Sequence, residues 1–148
     1  MEFGKVIRKI SMLDIPRVMD IWLNATIQGH PFIPEDYWYN NYDTVKNVWI
    51  PSSDTYVDER EGKVLGFVSV LDNTLIGALF VDFEQQGIGI GTALINYIKN
   101  LYSPLTLEVY KENRNAVRFY RSCGFVIADE KKAEDNDHIL YVMAWTKE

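Results

Sequence analysis

The chain has 148 residues, 47% of them hydrophobic and 24% charged, and carries a net charge of −6, which suits one hydrophobic core and predicts a single domain over residues 1–148. No apolar run is long enough to span a membrane and the N-terminus has no signal-peptide apolar region, so a cytoplasmic location is expected. A single cysteine, Cys123, excludes an internal disulfide and a cysteine-based zinc cluster; with only His30 and His138 besides, no metal site is expected, and without a long basic stretch no nucleic-acid partner.

Lys5 to Ile10 alternates, with Val6, Ile7 and Ile10, and predicts a first strand. Ser11 followed by Asp14 has the spacing of a capping box, and Pro16 suits a first helical turn. Ile15, Val18, Met19, Trp22 and Leu23 then repeat at three and four, predicting an amphipathic helix to about Gln28 that Gly29 ends. His30-Pro31-Phe32-Ile33-Pro34 cannot continue it, because two prolines fix the backbone and remove donors. A histidine between a helix end and a rigid turn is placed to line a cleft. A second helix starting near Pro34 to Asp36 is expected to carry Trp38, Tyr42, Val45 and Trp49 to the core before Pro51 stops it.

Tyr56 to Glu59 and Val64 to Leu71 read as strands joined around Glu61-Gly62, and Asp72-Asn73 turns the chain into a third strand, Thr74 to Phe83. Such short turns require an antiparallel meander, whereas a Rossmann domain opens with parallel units. Behind the third strand stand Gln85, Gln86 and three glycines at alternate positions, Gly87, Gly89 and Gly91, and a helix to Leu101. Strand, glycine turn and helix together can bind phosphate, since glycine tolerates positive φ and the first helical amides have no intrahelical partner. The alternative is a tight turn and no more. Thr92 and Ala93 after Gly91 exclude a P-loop. A dinucleotide fingerprint lacks its last glycine, although Glu108 stands about twenty residues on, where a ribose-binding acid would be. Leu105 to Tyr110 is then a strand parallel to the one through Val81. A short helix from Asn115 to Cys123 ends at Gly124, and Phe125 to Asp129 pairs with His138 to Trp145 across a polar run, Glu130 to Asp137, read as a solvated loop. Cys123 reads as a small buried residue.

Gln86 to Gly91 reads Q-x-x-G-x-G, which resembles the acetyl-CoA signature of the GNAT N-acetyltransferase superfamily. Asn113, Ala116, Phe119, Tyr120, Gly124 and Phe125 stand as N-x-x-A-x-x-F-Y followed by G-F, resembling that family's second signature. The stretch Trp22 to Trp38 with GHPFI and YW, together with GKVLGFVSV and LEVY, is similar to the bacterial YiaC-type subgroup along nearly the whole chain. Phe83 stands where the family often has proline, Gln86 where it often has arginine and Tyr110 where it often has asparagine.

The resemblance implies a mixed α/β fold, the GNAT acyl-CoA N-acyltransferase fold: about seven mostly antiparallel strands, a central splayed parallel pair and about four flanking helices. It implies acetyl-CoA as co-substrate, without a metal, and a primary amine as acceptor: a protein lysine, a peptide N-terminus or a small amine. The acidic balance of the chain favours such cationic partners. It also implies that the Phe80 and Val81 backbone pairs with pantetheine, with a free amide near Val81 as oxyanion donor, and that Gln86, Gly87, Gly89, Gly91 and Thr92 hold the diphosphate. Asn113 and Ala116 would meet the pantetheine arm, and Tyr120 would be the general acid, its alternative being a core aromatic; Arg121 would meet a phosphate or simply the solvent. His30, Phe32 and Tyr110 would face the acceptor. Glu108, on the same strand face as Tyr110, is the leading candidate base, water relay its rival, and Asp82 lies towards the open end of the cleft. The other functional class on this fold is a non-catalytic acyl-CoA-binding regulatory module. A monomer or a homodimer is expected.

Overall fold

The computed structural model describes residues 4–148; residues 1–3 of the expected domain lie outside the description. Seven strands form one sheet in the order β1-β2-β3-β4-β5-β7-β6. β1 (Lys5–Lys9), β2 (Asp54–Arg60), β3 (Lys63–Leu71) and β4 (Leu75–Val81) make the expected antiparallel meander. Its two tight turns are the predicted ones: Glu61-Gly62 and Asp72-Asn73 all have positive φ, which hairpin turns need to match the strand twist. β5 (Leu105–Tyr110), β6 (Val126–Lys132) and β7 (Ile139–Trp145) form a second antiparallel group.

Between the two groups β4 and β5 run parallel, and they are in register only at Leu75 with Thr106 and Ile76 with Leu107. Val81 and Val109, expected as neighbours, lie where the pair has already splayed. α1 (Ile15–Gly29) and α2 (Glu35–Thr44) cover one face of the sheet, where Val18, Met19, Ile21, Trp22 and Trp38 pack on Val57 and Phe67. α4 (Ile90–Lys99) and α5 (Arg114–Ser122) cover the other, where Ile90, Leu94 and Ile98 pack on Val68, Leu105 and Met143. α3 (Ile50–Ser52) is a single turn between them in sequence.

Ser11 and Asp14 form the expected capping box: the Ser11 amide donates to the Asp14 carboxylate at 2.8 Å. Arg8 holds that carboxyl down to about 2 by a bidentate ion pair, at 2.7 and 3.0 Å. Two expectations need correction. The second helix does not stop before Pro51, because Val45–Trp49 is a π-turn in which the Ile50 amide reaches back five residues, and Pro51 follows inside α3. The wider turn rotates Trp49 out of the core, leaving it 50% exposed. Nor is Glu130 to Asp137 wholly a solvated loop, since Glu130 to Lys132 complete β6 and Ala133 is buried.

Candidate active site

A cleft of about 890 Å³ runs from the end of α1, through the gap between β4 and β5, to the glycine turn. At the turn, Gly87 and Gly89 have φ of 89° and 87°, and a Cβ at either would meet nothing within 4 Å. Backbone conformation, not crowding, is therefore what calls for glycine at these two positions. Gly91 differs: a Cβ there would come to 3.1 Å from the Phe119 ring, so it allows α4 to sit close against α5. The first bond inside α4 is from the Ala93 amide to the Gly89 carbonyl at 3.0 Å. The amides of Ile90, Gly91 and Thr92 are thus left without intrahelical partners at the positive end of the helix, and all three residues line the cleft with Gln86.

The strand edge facing the gap follows from the ladder. The Asp82 amide donates to the Leu65 carbonyl at 2.8 Å, so antiparallel alternation commits the Phe80 backbone to Phe67 on β3 and turns the N–H and C=O groups of Leu79 and Val81 towards the gap. Phe80 lines the cleft, yet the free backbone edge belongs to Leu79 and Val81, and Leu79 was not singled out by sequence. Asp82 is engaged elsewhere. It pairs with Arg17 and caps the turn after β4 by accepting from the Glu84 amide at 2.9 Å. Burial works against its charge, but these partners hold its carboxyl below the usual range.

On the opposite wall Asn113 caps α5, its Oδ1 accepting from the Ala116 amide at 3.3 Å. Tyr120 is buried with its ring between Phe119 and Phe125 and reaches the cleft. Burial raises its phenol well above the ordinary value, so the hydroxyl keeps its proton at neutral pH. Arg114 and Arg118 line both the cleft and an adjoining groove beside β6 and β7, whereas Arg121 lines the groove and not the cleft. The 114, 118, 121 spacing marks one helix stripe, but only the packing of Phe119 on Gly91 fixes which end of the stripe faces the cleft.

His30 is buried at the end of α1 and lines the same cleft. Its Nδ1 lies 2.7 Å from the Thr26 carbonyl, which can only accept, so Nδ1 carries the proton and Nε2 the lone pair. Asn113 Nδ2 donates to that Nε2 over a long 3.4 Å. Burial pushes the imidazole below its ordinary pKa, with the Thr26 carbonyl opposing. The ring is held by Trp38 at 5.0 Å, Tyr110 at 5.5 Å and Phe32 at 5.7 Å between centroids.

Through the sheet, a second cavity of about 500 Å³ is walled by Trp38, Tyr37, Trp49, Tyr110 and the acidic Glu134 and Asp135. The Tyr37 hydroxyl donates to Asp135 at 2.9 Å, and Asn136 Nδ2 donates to the Tyr110 hydroxyl at 3.1 Å, so the β6–β7 connection is tied down over this cavity. Glu108 and Tyr110 share its wall, on the face opposite Leu107 and Val109 as expected. Glu108 does not join Tyr120 in the cleft; it is exposed and ion-paired with Lys131. Phe32 lines neither cavity, packing behind His30 against Tyr110 and His138. Among the described residues there is no grouping of side chains fit to hold a metal ion and no helix long and apolar enough to cross a membrane.

Residues 36–147 match the family model for the acetyltransferase (GNAT) domain. The chain is 34% identical over 140 residues to the peptidyl-lysine N-acetyltransferase YiaC of Escherichia coli, covering 95% of this chain and 96% of that one. Its structure is similar to the solution structure of apo-form YjaB from Escherichia coli, with a TM-score of 0.84 and 25% identity over 95% of this chain and 97% of that one. It also matches the fold of the PaiA N-acetyltransferase from Thermoplasma acidophilum in complex with coenzyme A, with a TM-score of 0.80 and 16% identity over 97% and 99% of the two chains.

Proposed function

Because the chain belongs to the GNAT acetyltransferase family, we propose that this acetyl-CoA-dependent enzyme acetylates a primary amine, foremost the side chain of a protein lysine, by direct attack with both substrates bound. One observation carries the reading: the gap between β4 and β5 opens to a cofactor-sized cleft on one side and to an acidic, aromatic cavity on the other. The residues present fit acetyl-CoA. Unpaired backbone on Leu79 and Val81 can extend the sheet to an amide-bearing arm, and the amides of Ile90, Gly91 and Thr92 suit a diphosphate, with Gln86, Gly87 and Gly89 around it. Asn113 and Ala116 border the arm, and Arg114 and Arg118 add charge for phosphate.

Bound acetyl-CoA supplies a thioester carbonyl open to attack by an amine, so Cys123, a half-buried thiol raised by burial, is not required as a nucleophile. The Val81 amide stabilises charge gathering on the carbonyl oxygen. Tyr120, protonated and buried, gives its proton to the departing sulfur. A lysine suits the second cavity because Tyr37, Trp49 and Tyr110 offer aromatic faces to a cation and Glu134 and Asp135 offer opposite charge. The relative YiaC is named for peptidyl-lysine, which supports that choice.

The test is release of free thiol from acetyl-CoA in the presence of a lysine peptide, with mass spectrometry of the peptide. Acetylated lysine is the expected product. Coenzyme A binding without turnover of any lysine, N-terminal or small amine would make the chain a binding module and overturn the reading.

A further inference from the structure

We propose that His30 is the general base of the transfer, accepting the proton of the acceptor amine at Nε2. This rests on the acetyl-transfer reading above and assigns a step that reading leaves open. His30 lines the cofactor cleft one ring away from the second cavity: Trp38 and Tyr110, whose ring centroids lie 5.0 and 5.5 Å from its own, wall the acceptor side. Its tautomer is fixed. The Thr26 carbonyl at 2.7 Å accepts a hydrogen bond from Nδ1–H, leaving the Nε2 lone pair for a donor from the cleft. Asn113 Nδ2 meets that lone pair only at 3.4 Å, a contact long enough for an incoming N–H to replace. The same carbonyl steadies the imidazolium once it forms. Glu108, the carboxylate first considered, is instead committed to Lys131 and exposed.

Protons balance as follows. The acceptor enters as an ammonium and loses two protons in forming the amide. One passes to His30 Nε2 and then to solvent. The C–N bond forms as the C–S bond breaks, the sulfur takes a proton from Tyr120, and the second nitrogen proton restores that phenol. The products are the N-acetyl amine, free thiol and one proton.

The groups facing His30 from the elements packed on it are Thr26 of α1, Phe32 of the turn, Trp38 of α2, Tyr110 of β5 and Asn113 of α5. His138 lies behind Phe32, and Glu112 and Arg114 share the cleft wall. Of these, His30 and His138 are the two imidazoles, and His138 is bound to Glu112 at 2.6 Å. Burial keeps His30 neutral at pH 7, so the base is ready there and is lost only as pH falls through its lowered pKa.

The experiment pairs two measurements on the wild-type protein: kcat/KM for a lysine peptide against pH, and long-range proton–nitrogen NMR of the imidazoles, with His138→Gln to assign them. The expected result is an acid limb in kcat/KM with the midpoint at which His30 titrates, and a neutral ring carrying its proton on Nδ1. His30→Gln should lower kcat by about 10²- to 10³-fold and flatten that limb, with coenzyme A affinity kept within about threefold. A neutral ring protonated on Nε2, a limb that does not follow His30, or a His30→Gln enzyme with wild-type kcat and limb would each overturn the inference. If no amine is acetylated, the functional reading fails, and the NMR tautomer still decides whether His30 holds a free Nε2.

Discussion

The cleft that His30 lines and the cavity walled by its ring neighbours Trp38 and Tyr110 are made of different material. The cleft offers a run of backbone groups beside its side chains: the positive-φ glycines 87 and 89, the free amides of α4 and the unpaired edge of β4. The second cavity is rich in large side chains, with tryptophans from α1, α2 and the π-turn, tyrosines from α2 and β5, and carboxylates from β5 and the β6–β7 connection. Backbone has the same chemistry whichever residue carries it, so a site of this kind holds one ligand class while the rest of the surface changes. A site made of side chains alters its ligand with each substitution. On the proposed reading the cofactor meets the backbone side and the acceptor the other, so substitutions in the second cavity should alter acceptor choice and leave cofactor binding.

Several substitutions test that division. The largest effect is expected on the cofactor side from a side chain: Tyr120→Phe should cut kcat by about 10²- to 10³-fold and leave the coenzyme A dissociation constant within about twofold, as read by stopped assay and calorimetry. Equal loss with every amine would sharpen the contrast, because a proton given to the departing sulfur is needed whichever amine attacks. Next comes Gly89→Val. A left-handed φ costs a side-chain-bearing residue about 1–2 kcal/mol, so the KM for acetyl-CoA should rise about tenfold while the KM for the amine stays put. If the amine KM moved instead, the cavities would not be separable in this way. Tyr37→Phe breaks the bond to Asp135 and should do the reverse, raising the amine KM about fivefold, since a hydrogen bond of this kind contributes about 1 kcal/mol.

Glu108→Gln should change kcat by less than about threefold, because an exposed ion pair contributes little. A larger loss would return that carboxylate to the chemistry. Outside both cavities, and with the least effect on activity, is the acid response of Asp14. Its carboxyl is held down to about 2 by Arg8, so the folded state binds its proton later than the unfolded chain does. The stability it gives is full above the ordinary carboxylate pKa and declines as pH falls from about 4 towards 2. The thermal midpoint of Asp14→Asn should fall less steeply than that of wild type across this window.

Local patterns carried most of what the sequence told. The glycine turn, the Ser11–Asp14 box, the Asp72-Asn73 hairpin and the meander that ruled out a Rossmann start are each written within a few adjacent residues. What could not be read were matters of rotation and distance. Arg118 faces the cleft and Arg121 does not, a difference set by how α5 rolls on α4. Tyr37 meets Asp135 across 98 positions of sequence, which no periodicity records. The π-turn at Val45–Trp49 reversed the expected side for Trp49, since the 3.6-residue period holds only while every turn has the same width.

The brief parallel register at Leu75 and Ile76 also bears on how the molecule opens. Four strands on one side and three on the other are paired along most of their length, broken only by bulges near Asp58, Ser69 and Ile127, whereas the seam between them pairs at two positions. Native-state hydrogen exchange should show two separately protected blocks, β1 to β4 and β5 to β7, with the seam amides of Val81 and Leu79 exchanging early. Coenzyme A laid along that seam would act as a stitch, slowing those amides and making the two blocks open together.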